Sequence, residues 1–173
     1  MKKVTGFTLQ ADHFAKCREF SCQDLSLFSC MRNLAISESG AEIVEFSSQY
    51  HHESRCSNLL LRDASLVWFT HVSCQPPHFV VMKFADPSVI HRVGVYLHGE
   101  NNQNPRIVNF YLSMDGSTWE NVTEGELEHR AGDHLFDLEN PMDACFIKLE
   151  ITENFGGSGI YVSKLYAFGT PKL

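Results

Sequence analysis

The sequence predicts an all-β protein, an antiparallel β-sandwich preceded by an N-terminal extension. Short runs rich in Val, Ile, Phe and Tyr recur from about residue 41, and clusters of Gly, Pro, Asn and Asp separate them. The 173 residues include thirteen Phe, which suit an interior where the side chains of two sheets interdigitate. This length is enough for one ordinary domain and a short extension, so we assign residues 1–40 to the extension and residues 41–173 to the sandwich.

The extension has no clean alternation of polar and apolar residues. Leu25, Phe28 and Met31 are spaced close to a helical period, so a short helix over residues 22–34 is one interpretation, and a strand is equally compatible with the pattern. We expect the extension to pack on the sandwich or to contact a partner.

Six strands can be placed in the sandwich, each bounded by turn-forming residues. Asp86-Pro87 is expected to end the first, and Asp115-Gly116 is a hairpin turn after which a return strand begins at Trp119. In the fifth, the odd-numbered apolar residues share one face. The predicted strands are residues 79–84, 89–97, 107–114, 119–122, 146–151 and 160–168.

The charge balance argues against nucleic acids and membranes as partners. The formal net charge is −7, and the Lys and Arg residues are scattered singly, so no basic patch is visible that phosphates or anionic lipid headgroups could bind. No apolar run approaches the roughly 18 residues that a membrane-spanning helix needs. The segment after Lys2-Lys3 is too short and too polar for the core of a signal peptide, so we expect a cytoplasmic protein.

The Cys residues are expected to be reduced. Cys17, Cys22 and Cys30 crowd into the first thirty residues, and no Cys-x-x-Cys pair occurs in the sequence. This pattern argues against a disulfide framework and against a zinc knuckle, and it favours thiols that pack as small hydrophobic side chains.

The order of several short motifs resembles the discoidin, or coagulation factor 5/8 C-type, domain family. A strand that ends in Ser-Ser (residues 45–50) is followed by Cys56-Ser-Asn-Leu-Leu60 and by Trp68, ten residues after the Asn. The segment Ser113-Met-Asp-Gly-Ser-Thr-Trp119 is similar to the Ser-x-Asp-Gly-x-x-Trp hairpin of the family. The resemblance covers roughly residues 42–169. It implies a discoidin-like jelly roll, related to galactose-binding domains, that binds a ligand without catalysing a reaction.

Many members of this family hold calcium in the turn between the Asn-Leu-Leu motif and the Trp. They use an Asp and a Gly just after the leucines and a Thr before the Trp, whereas this chain has Leu61, Arg62 and Leu66 at those positions. Calcium requires six to eight oxygen ligands, and Asp63 alone makes a poor cage. We therefore expect neither a metal nor another cofactor.

Secreted members of the family often carry a Cys near each end of the domain, but this chain ends in Tyr166-Ala-Phe-Gly169 with no closing Cys. This departure makes it more similar to the small intracellular members, which are subunits of ciliary, ubiquitin-ligase and nuclear complexes. The resemblance therefore implies an adaptor that binds a protein partner in the cytoplasm, the cilium or the nucleus.

Binding in this fold usually falls on loops at one end of the sandwich. The loop after the strand that ends in Ser-Ser offers Tyr50, His51 and His52 where lipid-binding relatives present apolar tips, which argues against membrane binding. Neighbouring residues on an extended loop point in opposite directions, so solvated loop side chains are a better interpretation of the two His than metal ligands, and contacts to a partner are the other interpretation.

The loop 97–106 is the most polar stretch of the domain, and it holds the donors and acceptors that a sugar or a peptide backbone needs. Sugar-binding relatives use a similar mix of residues beside an aromatic ring, so a carbohydrate-binding module that combines this loop with Tyr50 is the alternative to the adaptor. An ordinary loop rich in turn formers is the other interpretation. The candidate residues are His98, Glu100, Asn101, Asn102, Asn104 and Arg106.

The Gly-rich loop 154–159 begins with a further candidate, Phe155, which either packs on the sandwich or contacts a partner. The loop lacks the Lys-Ser/Thr ending of a phosphate-binding loop, and no helix pattern follows it. Neither a Gly-x-Ser-x-Gly elbow nor a His-Glu-x-x-His pair occurs in the sequence, which favours a protein that is not an enzyme.

Overall fold

The computed structural model describes residues 31–99 and 101–172. Within these ranges the chain forms nine strands, all paired antiparallel, and two short 3₁₀ helices, neither of which is long enough to cross a membrane. The 3₁₀ helices span Ser37–Ser39 and Cys56–Leu60. The strands are β1 (Arg32–Asn33), β2 (Glu42–Phe46), β3 (Trp68–Phe69), β4 (His78–Leu97), β5 (Pro105–Ser113), β6 (Glu120–Glu126), β7 (Gly132–Asn154), β8 (Tyr161–Val162) and β9 (Lys164–Pro171).

Two long strands, β4 and β7, run through both layers of the sandwich. In the first layer, the N-terminal part of β4 lies between β2 and the C-terminal part of β7, and β5 and β6 follow in order. In the second layer, the C-terminal part of β4 lies between β9 and the N-terminal part of β7, and β1 pairs with β9. The β4–β7 register shifts between Lys83 and Ser88, where the ladder passes from one layer to the other. This arrangement confirms the predicted discoidin-like sandwich.

The hydrophobic core lies between the two layers. Ile147, Leu149 and Ile151, the odd-numbered residues of the predicted strand, are all fully buried. The rings of Phe110 on β5 and Phe136 on β7 contact each other from opposite layers, with centroids 5.8 Å apart. Removal of this apolar surface from water is the main force that holds the layers together.

One predicted strand boundary is wrong. The sequence suggested two strands separated at Asp86-Pro87, but β4 continues from His78 to Leu97. The proline is tolerated because residues 84–87 lie where the ladder to β7 is interrupted, so no neighbouring strand requires the missing N–H.

Residues 32–40, which the sequence assigned to the extension, contribute to the sandwich. The strand β1 pairs with β9, and Leu34 and Ala35 are buried in the core. The Asn33 side-chain oxygen accepts hydrogen bonds from the backbone N–H groups of Ala35 and Ala167, both at 3.1 Å. The segment 22–34, for which the sequence leaves a helix and a strand open, lies mostly outside the described residues, and the part within them contains β1.

The three Cys within the described ranges carry free thiols. Cys56 is buried, and Cys74 and Cys145 are partly buried. Burial raises the pKa of the Cys56 thiol, because the low-polarity interior disfavours the thiolate. The other three predicted thiols lie outside the described residues.

Candidate functional site

Several loops meet at one end of the sandwich, where β2, β4, β6 and β7 begin or end. The loop after β4 is bonded to the loop after β7, since the N–H of Gly157 donates to the Asn102 carbonyl at 2.8 Å and that of Tyr161 donates to the Gln103 carbonyl at 3.0 Å. The loop after β3 joins them through the Thr70 hydroxyl, which accepts from the N–H of Ile160 at 2.8 Å. The loops therefore form one connected surface.

An aromatic cluster, formed by Tyr50, His51, Phe69, His71 and Tyr161, lies on this surface. The ring centroid of Tyr50 is 3.9 Å from that of His51, 5.2 Å from that of Phe69 and 5.7 Å from that of His71. Phe69 in turn contacts Tyr161 at 5.9 Å in an edge-on arrangement. Tyr50 remains 39% exposed, so part of its side chain is accessible while the neighbouring rings pack against the rest.

The backbone around Tyr50 is fixed by the buried Trp68. The indole N–H of Trp68 donates to the Ser48 carbonyl at 2.8 Å. The N–H of Tyr50 donates to the Phe69 carbonyl at 2.8 Å, and that of Phe69 donates to the Ser54 carbonyl at 3.0 Å. These bonds hold the loop after β2 against β3 and so set the position of the Tyr50 ring.

The imidazole of His71 is oriented by Ser73. The Ser73 hydroxyl lies 2.6 Å from His71 Nδ1, and the Ser73 backbone N–H donates to the same nitrogen at 3.3 Å. Because Nδ1 then acts as an acceptor, the proton of the neutral ring is placed on Nε2. His71 can therefore offer a hydrogen-bond donor beside the Tyr50 ring.

The predicted residues of the first loop are brought together. Tyr50 and His51 both belong to the aromatic cluster, and the exposed His52 side chain lies 3.4 Å from the Arg55 guanidinium. Within residues 31–99 and 101–172, no group of three or more His, Cys, Asp and Glu is arranged to hold a metal ion. The interpretation of these His residues as contacts for a polar partner stays a prediction.

The predicted residues of the loop 97–106 have different roles. Asn104 is fully buried, and its amide donates to the Gly99 carbonyl at 3.0 Å. The side-chain oxygen of Asn101 accepts from the N–H of Gln103 at 2.9 Å. These two amides shape the loop, whereas His98 and Asn102 are exposed. Glu100 lies outside the described residues.

Arg106 and Phe155 are engaged by their neighbours. Arg106 forms ion pairs with Glu126 and Glu153 at 3.3 and 3.5 Å, which hold its side chain along β6 and β7. The ring of Phe155 stacks on that of His129, with centroids 4.3 Å apart and an interplanar angle of 16°. Phe155 is partly buried, so it packs on the loops while part of its side chain remains accessible.

Sequence reasoning missed three members of the aromatic cluster. Phe69 follows the buried Trp68, and Tyr161 lies between the buried Ile160 and Val162. Because side chains alternate along a strand, a ring next to a buried residue is expected to point away from the core, and this signal could have found both. Nothing in the sequence indicated that His71 would lie beside Tyr50.

The family assignment rests on the sequence as well as on this geometry. The family model of the F5/8 type C domain matches residues 43–163. The chain belongs to the F5/8 type C family. This membership confirms the resemblance seen in the motifs, and no curated protein matches the chain significantly.

Several solved structures share the fold of this F5/8 type C domain. The C-terminal domain of a chitobiase from Bacteroides fragilis superposes with a TM-score of 0.71 at 18% identity, covering 82% of this chain and 100% of that domain. A family 32 carbohydrate-binding module from C. perfringens NanJ, solved in complex with galactose, gives 0.70 at 15% identity, with coverages of 80% and 98%. Allantoicase from Saccharomyces cerevisiae gives 0.67 at 20% identity, with coverages of 80% and 43%.

Proposed function

We propose that this F5/8 type C domain is a non-catalytic carbohydrate-binding module, and that the exposed side of the Tyr50 ring is its sugar platform. The observation that carries the proposal is a rigidly held aromatic ring, 39% exposed, flanked by the imidazoles of His51 and His71. An aromatic side chain has an apolar face on which the C–H groups of a sugar ring can pack.

The fixed position of Tyr50 favours binding. Phe69 supports its ring from one side, and the N–H of Tyr50 is bonded to the Phe69 carbonyl. A platform that is ordered before the ligand arrives loses little conformational entropy on binding. Weak ligands such as short sugars depend on such preorganisation because they bury little surface.

Polar groups for the sugar hydroxyls surround the platform. His51 and His71 lie next to Tyr50, and the loop 97–106 joins the same surface through the bond between Tyr161 and Gln103. Sugar hydroxyls both donate and accept, so side chains that can do either are suitable partners. A structural neighbour that was solved with galactose gives further support.

Substitution of Tyr50 tests this proposal. A glycan array identifies the sugar, and isothermal titration then compares the wild type with Tyr50→Ala and Tyr50→Phe. We expect Tyr50→Ala to weaken binding at least about tenfold, equivalent to about 1.4 kcal/mol, and Tyr50→Phe to bind nearly as well as the wild type because the ring is kept.

Met114→Ala is the matched control, because Met114 is also exposed but lies at the hairpin on the opposite end of the sandwich. It should leave affinity unchanged. The proposal is wrong if the array shows no binding, or if Tyr50→Ala binds the same sugar as tightly as the wild type.

A second candidate function is that of a protein-binding adaptor in the cytoplasm, the cilium or the nucleus. It is favoured by the surface of β2, where Val44 is 49% and Phe46 is 41% exposed. Among the described residues β2 pairs with β4 alone, so its other edge has no strand neighbour, and such edges bind peptides by adding a strand.

Affinity purification of the tagged protein from its native cells separates the two functions. An adaptor should retain a stoichiometric protein partner through washing and lose it in Phe46→Glu, whereas Tyr50→Ala should have no effect on that partner. The opposite pattern, no retained protein and sugar binding that depends on Tyr50, would leave the carbohydrate-binding function alone.

A further inference from the structure

The turn of residues 61–66 has a cation of its own. Lys164, at the start of β9, reaches across to this turn, and its ammonium group donates to the Leu61 carbonyl at 2.8 Å and also to the Arg62 carbonyl. The contact joins residues that are 103 and 102 positions apart in the chain. Two successive backbone carbonyls therefore converge on one positive charge.

The rest of the turn is fixed by neutral and local bonds. The buried Asn58 amide donates to the Glu53 carbonyl at 2.7 Å and to the Val67 carbonyl at 2.8 Å, which closes the base of the loop. The Asp63 carboxylate accepts from the backbone N–H and the hydroxyl of Ser65 at 2.9 and 2.7 Å. These bonds leave the carbonyls of residues 61 and 62 to the Lys164 ammonium.

The electrostatics of this turn suit a single positive charge. The carboxylates of Asp63 and Glu38 attract the Lys164 ammonium, while the nearby Arg62 guanidinium repels it. Burial lowers the pKa of Lys164, and these two carboxylates and that of Asp133 oppose this effect. A protonated lysine, unlike a divalent ion, is carried to the site by the chain itself.

Calcium, which many members of the family hold in this turn, does not fit these residues. The turn supplies two carbonyls and one carboxylate that is already bonded to Ser65, well short of the six to eight oxygens that calcium requires. A calcium ion at the carbonyls would also lie against the Lys164 ammonium and would be repelled by it.

We infer that the Lys164 ammonium replaces the metal ion as the structural cation of this turn, so that the domain is ordered without calcium. Replacement of the ion by a lysine changes how the turn is held in place. A bound ion dissociates when its concentration falls, whereas Lys164 is part of β9 and keeps the turn attached to that strand under all metal concentrations. The loops next to the aromatic cluster are therefore supported independently of calcium.

Thermal unfolding of the wild type and Lys164→Met tests this inference. Lys164→Met removes the charge but keeps the length and the apolar stem, and we expect its Tm to be lower by roughly 2–6 °C because two carbonyls lose a charged donor. The control is Lys172→Met, which removes an exposed ion pair with Asp143 and should lower the Tm by less than about 2 °C. Equal Tm values for Lys164→Met and the wild type would overturn the inference.

Metal dependence gives a second readout. The wild-type Tm should be the same in EDTA and in millimolar calcium chloride, and calcium-induced stabilisation of the wild type would show that the lysine does not replace the ion. Lys164→Glu should reverse the behaviour, because the competing cation is removed and the Glu carboxylate joins the two carbonyls and Asp63 as an oxygen ligand, with water completing the shell. We expect its Tm to be low in EDTA and to rise by roughly 2 °C or more in calcium. A Lys164→Glu protein that does not respond to calcium would contradict the assignment of a cation site.

Discussion

At the scale of single residues, the side chain of Asp115 holds the hairpin turn between β5 and β6 in place. Its Oδ1 atom accepts from the backbone N–H groups of Ser117 and Thr118 at 2.8 and 2.7 Å, which closes the hairpin between β5 and β6. These bonds favour the ionised carboxylate and therefore lower the pKa of Asp115 well below its usual range. The Asp-Gly pair that predicts the turn thus also couples it to pH.

Replacement of Asp115 by Ala should remove a contribution to the stability of the fold that depends on pH. The pKa of Asp115 is lower in the folded state, so its contribution is fully present above the unfolded pKa of about 4 and is lost as the pH falls through the folded value. We expect Asp115→Ala to have a lower Tm than the wild type at pH 7, and the difference to shrink between pH 5 and pH 3. A difference that stays constant over this range would contradict the assignment.

The candidate site could be predicted only in part at this scale. Tyr50 and its adjacent His residues follow a predicted strand, so their place at the end of the sandwich could be inferred from the chain order. The contacts of Phe69 and His71 with Tyr50, and of Phe69 with Tyr161, depend on which loops meet, and sequence distance carries no information about that. Arg106 was expected to face a ligand, but its two carboxylate partners come from strands whose register was unknown.

At the scale of elements, the packing of β6 against β7 depends on a glycine. A Cβ atom at Gly125 would lie 2.3 Å from the tip of the Phe136 ring, far inside the normal contact distance. The ring of Phe136 also contacts Phe110 in the core. The small residue on β6 therefore makes room for an aromatic side chain from the opposite layer.

A double-mutant cycle between residues 125 and 136 measures this packing. We expect Gly125→Ala to cost roughly 1–3 kcal/mol of unfolding free energy, because the ring must move within a packed core. In the Phe136→Leu background the same change should cost clearly less, since the clashing ring atoms are gone. Glu124→Ala, an exposed change on the same strand, should stay within about 0.5 kcal/mol in urea unfolding. Equal costs of Gly125→Ala in both backgrounds would refute the steric explanation.

Element boundaries were predictable where apolar residues alternate and were missed where they do not. The C-terminal part of β7 was found because its buried residues recur at every second position. The N-terminal part, residues 132–144, was missed because Asp133, Asp137, Glu139 and Pro141 interrupt the pattern. These residues face solvent on the outer side of the second layer, and their pairing with β4 and not their composition makes them a strand.

At the scale of the whole molecule, one core connects the two ends of the sandwich. Trp68 is fully buried beneath the loops that carry the aromatic cluster, and Trp119 is partly buried at the hairpin on the opposite end. The buried residues between them form a single cluster that draws on both layers. A shared core of this kind favours cooperative unfolding.

Unfolding in urea should therefore be a single transition, in which both ends of the sandwich unfold together. In Trp119→Phe the fluorescence reports Trp68 alone, and we expect its midpoint to coincide with that of far-UV circular dichroism, which reports the sheets. Separate midpoints would mean that the loop end melts independently of the strands.

The passage of β4 and β7 through both layers determines how the domain can be divided. A cut in the loop after β4 leaves β1 to β4 on one fragment and β5 to β9 on the other, so each layer is deprived of strands. Neither fragment contains a complete sheet, and the fold can be restored only when the two are recombined. The two layers are therefore tied together by continuous strands, and the end loops, which lie outside these strands, can be exchanged for new sequences while the pairing of β4 with β7 is kept.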